Sequence, residues 1–483
     1  MSDTDIEGLK QLQKLLIGLL DDSSTLSDSK FTSTVQNLNN LRSDAEIRQR
    51  LGQSEIAWSH IIHILILFRN GPILPGSEVE TNRIQLLNNT LLLCSNILTI
   101  GESAQVIAFP RLQTEVFNIL ELSHFTPVTV SCLKVLVNLG AANPAIRNQI
   151  FKLFISRLND DINGRIVDSL DDNGFSVLII YILGGIGNSD MNCNAFVTSD
   201  FGKRSLNIFI SKTENWNTDT NHKNFDLIYA LIDTYVRFGI LDQVFTALSG
   251  YDVTDKYFVL LKILDGKLSS ESSVTIPNSG SLVRFLYHNI FVQLVKPLAV
   301  DCMTRKVEHD ISQKIASLTI TLLECIKNLL AYTSNSVLVN EKAVQEFIDL
   351  LKIADREIPR KTLKTDNKLE DTKSYEFPSL KVLLIGILSL LVEKNQGAKD
   401  EVRQCGGLPV VLNQCNIDDI NQFIREHAIL LVKGLLENNP ENQSFVAALE
   451  AKQAVPSTAL EEAGYETEIT DGKIALKRRA PKN

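Results

Sequence analysis

The chain has 483 residues, of which 44% are hydrophobic and 22% charged, and its formal net charge is −9. This composition allows a large core, and the acidic balance disfavours a nucleic-acid-binding surface, because phosphate binding needs concentrated lysine and arginine. The longest apolar runs, such as 382–392, span about eleven residues, which is too short for a membrane span of about 20. The acidic, polar start and the seven scattered cysteines predict an intracellular protein without a signal peptide or membrane insertion.

Apolar helical stretches recur along the chain. They lie at 91–109, 131–151, 176–190, 321–336, 379–396 and 423–450. In five of these stretches we take as a marker the residue just before the apolar pair that ends the helix. The markers are Asn96, Asn138, Gly184, Ser389 and Gly434. Neighbouring markers are 42, 46 and 45 residues apart, and no gap is counted between Gly184 and Ser389, where loops intervene. Spacing of roughly 40–47 residues is typical of HEAT and armadillo arrays. The sequence therefore predicts an all-α, armadillo/HEAT-like α-solenoid, with one large globular all-α domain as the alternative.

Two of these stretches share the same junction. Asn143 and Asn439 are each followed by proline, so each can cap a new helix whose first residue needs no N–H donor. Gly406 or Gly407 can end one helix in the left-handed conformation, and Pro409 can start the next. A Gly-Gly-apolar-Pro junction of this kind precedes the third helix in armadillo repeats.

The stretch 423–437 has two apolar faces and a narrow polar stripe. The first face consists of Ile424, Ala428, Leu431 and Leu435, and the second of Ile429, Val432 and Leu436. A helix that is apolar nearly all round must be covered on more than one side. Neighbouring repeats of a solenoid provide such cover.

Loop-like segments divide the chain. The Asp/Asn/Gly-rich 159–174, the Ser-rich 266–281 and the charged 354–379 are predicted to be loops or linkers. We therefore predict a helical repeat array over 1–353, a charged linker over 354–378, a helical repeat block over 379–455 and a tail over 456–483. In the tail, polar and apolar residues alternate over 468–476 on either side of Asp471-Gly472, which predicts a β-hairpin. Because a lone hairpin is only marginally stable in water, we expect it to dock on the last helices.

The C-terminal block resembles the ataxin-10 family, whose fungal members include copper transport protein 86. The residues that carry the resemblance are Arg425, Glu426, Ala428, Ile429, Glu437, Asn438, Asn439, Asn442, Gln443, Gly464, Tyr465 and Glu466. The resemblance covers roughly residues 379–479, and His427 departs from it, because that position is often aromatic in the family. It implies an armadillo-like scaffold that is linked to cell division and, in animals, to neuronal survival. It supplies no catalytic residues.

The chain shows no convincing constellation for chemistry. His60 and His63 share a helix face, but no Cys, Asp or Glu lies close by to complete a metal set, so we interpret them as packing residues. The glycines of 183–190 superficially resemble a phosphate loop but lack its Lys-Ser/Thr, and we interpret them as a helix end with close helix packing. The sequence predicts a protein that is not an enzyme and binds no metal or cofactor.

These patterns together favour a non-enzymatic scaffold or adaptor that binds protein partners, with a homo-oligomer as a further option. Arg425, Glu426, Lys433 and Glu437 are the predicted partner-facing stripe, and a merely solvated edge is the alternative. Regulation of a GTPase and copper homeostasis remain as alternative functions, and a role in cytokinesis follows only from the resemblance. We expect the cytoplasm as the location, and the basic 477–482 leaves nuclear import open.

Overall fold

The computed structural model describes most of the chain. Residues 1–9, 11–27, 71–77, 123–124, 159–162, 188, 218–221, 251–252, 271–275, 306, 334–335, 340, 359, 361–376, 419–420, 422, 450–459, 461–463, 471–472 and 479–483 lie outside the described residues. The chain divides into two compact units, Met1–Asn278 and Ser279–Asn483. The predicted linker 354–378 falls largely outside the described residues.

All described secondary-structure elements of the first unit are helices. Its helices are α1 (Asp28–Ser43), α2 (Ala45–Gly52), α3 (Glu55–Asn70), α4 (Glu78–Leu98), α5 (Glu102–Leu122), α6 (Thr126–Leu139), α7 (Pro144–Arg157), α8 (Asn163–Asp168), α9 (Asp172–Ile186), α10 (Asp190–Thr198), α11 (Asp200–Asn217), α12 (Lys223–Phe238), α13 (Leu241–Ala247) and α14 (Val253–Ser270). Helices α1, α4, α6, α9 and α12 pack in succession as one layer, and α3, α5, α7, α10 and α13 form the second. This two-layer stacking of consecutive helix groups is the arrangement of an α-solenoid.

The second unit, taken by itself, has the same two-layer construction. It contains α15 (Ser279–Phe285), a π-helix (Leu286–Val295), α16 (Lys296–Thr304), α17 (His309–Tyr332), α18 (Ser336–Val339), α19 (Ala343–Glu357), α20 (Leu380–Val392), α21 (Gln396–Gln404), α22 (Gly407–Asn413), α23 (Ile424–Leu436) and α24 (Pro440–Ala447). Helices α17, α20 and α23 form one layer, and α16, α19, α21 and α24 the other. Because α19 packs on α20, α21 and α22, helices on both sides of the predicted 354–378 linker belong to one packed unit.

A repeated side-chain bond closes the helix ends. In five repeats, a polar side chain near the start of a helix donates to the carbonyl oxygen seven residues earlier, at the end of the preceding helix. The pairs are Gln105 with Leu98, Arg147 with Gly140, Asn192 with Gly185, Lys256 with Ser249, and Asn442 with Leu435. The last carbonyls of a helix lack intrahelical partners, so these bonds satisfy groups that the turn between helices would otherwise bury unpaired.

The Asn-Pro junctions are confirmed as helix starts. The side chain of Asn143 accepts hydrogen bonds from the N–H groups of Ala145 and Ile146, and that of Asn439 accepts from Asn442. Pro144 and Pro440 are the first residues of α7 and α24. Gly406 has a φ of 69° before α22, as predicted, although that helix begins at Gly407 rather than at Pro409.

Glycine permits a close helix approach at the end of α9. A Cβ on Gly185 would lie 2.1 Å from Cδ2 of Phe151, on α7. The motif at 183–190 is thus a helix end with close packing, as its context predicts, and Ser189 caps the following α10. The predicted loop 159–174 contains the short helix α8 and the start of α9, so the loop is shorter than predicted.

A two-stranded antiparallel hairpin, β1 (Tyr465–Thr470) and β2 (Lys473–Arg478), follows the helices. Thr470 pairs with Lys473, which leaves two residues for the turn, as the Asp-Gly pair predicts. Tyr465 is 39% and Leu476 62% exposed, and the other described strand side chains are exposed or half-buried. The expected burial against the last helices is therefore not seen for these residues.

Helix α17 is the one described helix that is long and apolar enough, by length and composition, to cross a membrane. Half of its most apolar 18-residue window is buried in the protein. The bent pair α2 and α3 passes the same test if it is counted as one span. Core helices of other proteins pass this test as well.

Candidate functional site

Two consecutive repeats at the C-terminal end superpose in sequence with a spacing of 44 residues (379 and 423, 395 and 439). Ser379 and Phe423 precede α20 and α23 and have φ values of 64° and 63°. Asn395 and Asn439 cap α21 and α24 through the N–H group three residues later. Position by position, α23 is therefore the equivalent of α20 in the next repeat.

The first predicted face of α23 is confirmed as its core face. Ile424, Ala428, Leu431 and Leu435 are at most 1% exposed. This face of α23 packs in a helical environment formed by α20, α22 and α24. Burying four such side chains supplies most of the free energy that holds the helix in place.

The second predicted face differs between the two repeats. In α20, Ile385, Leu388 and Val392 are at most 2% exposed. The equivalent residues of α23 are Ile429, Val432 and Leu436; Ile429 is 48% exposed and the other two are half-buried. Among the described residues, no further repeat packs on the second face of α23, so this face is only partly covered. We call the flank formed by Arg425, Ile429, Val432 and Leu436 the open flank.

All four residues of the predicted stripe are exposed. Glu426 and Lys433 lie on the side of α23 opposite its core face, whereas Arg425 lies on the open flank. Glu426 in the first turn and Lys433 in the last turn also have the signs that favour the helix dipole. Glu437 ends the helix, and its carbonyl oxygen accepts a hydrogen bond from Lys399 Nζ at 2.8 Å.

The sequence analysis missed two exposed apolar residues beside this stripe. Phe423 is 69% and Leu430 63% exposed. The positive φ of Phe423 is unusual for a bulky residue and costs roughly 1–2 kcal/mol of backbone strain. The helical pattern of 423–437 could have indicated Leu430, but no sequence signal distinguishes the strained backbone of Phe423.

Lys381 is a buried lysine that the sequence analysis also missed. It occupies in α20 the position that Arg425 occupies in α23, and it is 1% exposed. Its Nζ donates to the carbonyl oxygen of Ile358 at 2.6 Å and lies 3.9 Å from Oδ1 of Asp355. Burial lowers the pKa of Lys381, and the charges of Asp355 and Asp418 oppose this effect.

The described residues contain no group of three or more His, Cys, Asp or Glu side chains that could hold a metal ion. His60 and His63 lie on α3, where His60 is half-buried and His63 exposed. Burial raises the pKa values of Cys94 and Cys193 to about 12. Because the thiolate is the reactive form of cysteine, these two protonated thiols are unreactive at neutral pH.

The open flank lies within a region that matches a known protein domain. The family model for the spinocerebellar ataxia type 10 protein domain matches residues 380–477. An ataxin-10 homolog of Debaryomyces hansenii is 42% identical over 161 residues, which cover 33% of each chain. One of Saccharomyces cerevisiae is 23% identical over 532 aligned residues, which cover 93% of this chain and 92% of the relative.

Among solved structures, an engineered protein aligns with 89% of this chain and 98% of its own, but the TM-score of 0.28 and 12% identity are too low to compare folds. The repeat architecture is seen in the protein's own helices. Residues 380–477 thus match the ataxin-10 domain, and the chain as a whole is similar to ataxin-10 homologs.

Proposed function

We propose that this protein is a non-enzymatic scaffold that binds other proteins through its last helical repeat. The observation that supports the proposal is the contrast between two equivalent flanks. Ile385 in α20 is fully buried, whereas Ile429 in α23 is 48% exposed. The end repeats of solenoids usually carry a polar outer face, so apolar side chains on the open flank favour a binding surface.

The exposed charges surround this flank. Arg425, Glu426 and Lys433 provide both signs of charge beside the apolar side chains. Charged residues at the rim of an interface select the partner and its orientation more than they add to affinity. The predicted stripe would thus help to decide which protein binds.

A role in cell division, with the cytoplasm as the site of action, is the finer part of the proposal. It is supported by the similarity to ataxin-10 homologs and by the seven cysteines, five of them buried, which suit a reducing compartment. The partners would be other proteins, or further copies of this chain.

Affinity purification of the full-length chain at native abundance, followed by mass spectrometry, tests the proposal. Ile429→Lys places a charge on the open flank, and Met191→Lys is the matched control, because Met191 is 68% exposed on α10 in the first unit. We expect a stoichiometric partner that Ile429→Lys loses and Met191→Lys keeps. If the unmodified chain, Ile429→Lys and Met191→Lys all purify the same proteins in the same amounts, this result would count against a partner site on the last repeat.

A further inference from the structure

The side of α23 that is opposite its core face carries two large, exposed apolar side chains. Phe423 is 69% and Leu430 63% exposed, and they are seven residues apart, which is about 10 Å along a helix. Glu426 and Lys433 lie on the same side and are exposed as well. We call the pair Phe423 and Leu430 the ridge. Exposed apolar side chains that are grouped in this way are typical of an interaction surface.

The aromatic side chain at position 423 does not serve the fold. The residues before α19, α20 and α23 all have positive φ values, so the left-handed backbone is a feature of these junctions. The first two of these junctions use polar residues, Lys342 and Ser379, and only the third uses a bulky apolar one. Phe423 thus combines a strained backbone with an exposed ring, and strain of this kind is concentrated at functional sites.

The same positions of α20 form a shallow depression beside the ridge. Ser379 and Gly386 are the equivalents of Phe423 and Leu430 at the 44-residue spacing, and both are half-buried. Outside the backbone of its own helix, a Cβ on Gly386 would meet one atom within 4 Å, which is Cδ of Lys327 at 3.3 Å. Helix α20 therefore lacks large side chains at the two positions where α23 has them. The depression and the ridge have the same length.

The charges at the ridge and at the depression are complementary. Glu426 lies between the two ridge residues, three positions after Phe423 and four before Leu430. The side chain of Lys327, on α17, lies along Gly386 in the depression. Among the described residues, neither Glu426 nor Lys327 has an ion-pair partner. The two features therefore match in shape and in charge, and both point away from the core of their own molecule.

We propose that the ridge of one copy of this chain docks in the depression of a second copy. Phe423 and Leu430 of the first copy cover Ser379 and Gly386 of the second, and Glu426 pairs with Lys327 across the contact. The ridge and the open flank lie on different sides of α23. The inference therefore goes beyond the proposed scaffold function and does not depend on it.

Sedimentation velocity of the full-length chain over a series of concentrations tests the inference. We expect reversible self-association that Phe423→Gly weakens by about tenfold or more, since large apolar anchors dominate the affinity of an interface. Glycine relieves the backbone strain at this position, so unfolding cannot explain the loss. Gly386→Leu, which fills the depression, should also weaken association. Ile429→Lys on the open flank and Met191→Lys in the first unit are the controls and should leave it unchanged.

Charge reversal tests the proposed ion pair. Glu426→Lys and Lys327→Glu should each weaken association, and a chain that carries both changes should recover it. A double variant that stays as weak as either single variant overturns the pairing.

A chain that sediments as a monomer at every concentration overturns the inference as a whole. An oligomer that Phe423→Gly leaves intact overturns it as well. So does an oligomer that Ile429→Lys dissociates, because the copies then meet at the open flank. The scaffold function is tested separately, by the cellular partner that Ile429→Lys loses.

Discussion

The side-chain amide of Asn442 donates to the carbonyl oxygen of Leu435 at 2.9 Å. The same nitrogen donates to the carbonyl oxygen of Lys399 in the preceding repeat at 3.2 Å. Its oxygen accepts from Arg403 at 2.6 Å, and the whole residue is 0% exposed. One amide thus closes the end of α23 and ties the last repeat to α21.

Asn442→Ala should lower the free energy of unfolding of the last repeat by about 3 kcal/mol, because buried carbonyl oxygens lose their donor. Native-state hydrogen exchange of the α23 amides measures this change. Gln443→Ala is the matched control, since Gln443 also donates to a carbonyl seven residues earlier but is exposed. We expect less than about 1 kcal/mol for the control. If Asn442→Ala and Gln443→Ala lower the free energy of unfolding equally, the buried hydrogen bonds of Asn442 are not the cause of the loss.

Gly185→Ala should destabilise the first unit by about 2 kcal/mol or more, because the new Cβ would overlap the ring of Phe151. The neighbouring Gly184→Ala is the control. Gly184 is exposed, and a Cβ there meets its nearest atom, Cδ of Arg147, at 3.9 Å. We expect the control to be neutral or to stabilise by up to about 1 kcal/mol, since alanine favours helix. Thermal unfolding followed by circular dichroism separates the two, and a similar midpoint for both variants contradicts the packing argument.

Lys381→Met should destabilise the second unit by about 1–3 kcal/mol at neutral pH, because the buried carbonyl oxygen of Ile358 loses its donor. The deficit should also depend on pH. Burial lowers the pKa of Lys381 in the folded protein, whereas the unfolded chain keeps a value near 10.4. Between these two values the unfolded state binds more protons, so the stability of the unmodified protein rises with pH through this window.

The Lys381→Met protein lacks this contribution. The difference in free energy of unfolding between the unmodified protein and the variant should therefore widen as the pH approaches 10.4. Urea unfolding at a series of pH values measures the difference directly. Tyrosine and cysteine titrations occur in both proteins and cancel. A difference that narrows with rising pH would mean that pairing with the carboxylates outweighs the desolvation of the ammonium group.

Phe423→Gly should raise the free energy of unfolding of the last repeat by about 1 kcal/mol, because glycine adopts the left-handed conformation without strain. Phe423→Ala should bring no such gain, since alanine keeps the Cβ that causes the strain. Both variants remove the exposed ring. Hydrogen exchange of α23 distinguishes them, and an equal effect of the two would assign the change to the ring rather than to the backbone.

Much of the fold could be predicted from local signals. The Asn-Pro junctions, the Asp-Gly hairpin and the core face of α23 depend on residues that are close in sequence. The predicted loop 159–174 was too long because asparagine, aspartate and glycine serve both in loops and at helix ends. Asp171, for instance, caps α9 through the N–H of Gly174.

The candidate site depends on distant parts of the chain. Lys381 and Arg425 have the same place in their helices, but Lys381 is buried beside Ile358 and Asp355, which are distant in sequence, whereas Arg425 is exposed among the described residues. The four stripe residues are exposed, but whether a partner contacts them stays a prediction. The strain at Phe423 was not predictable, because the equivalent residue, Ser379, has a similar backbone and a very different side chain.

Several of the side chains that close a helix end also bond to a neighbouring repeat. Asn192 reaches Asn148 in the repeat before it, as Asn442 reaches Lys399 and Arg403. Under tension, a repeat cannot loosen its own turn without breaking a bond to its neighbour. The natural mechanical unit of each array is therefore the whole repeat, and a chain pulled from the end of α24 would shed its last repeat in one step rather than helix by helix.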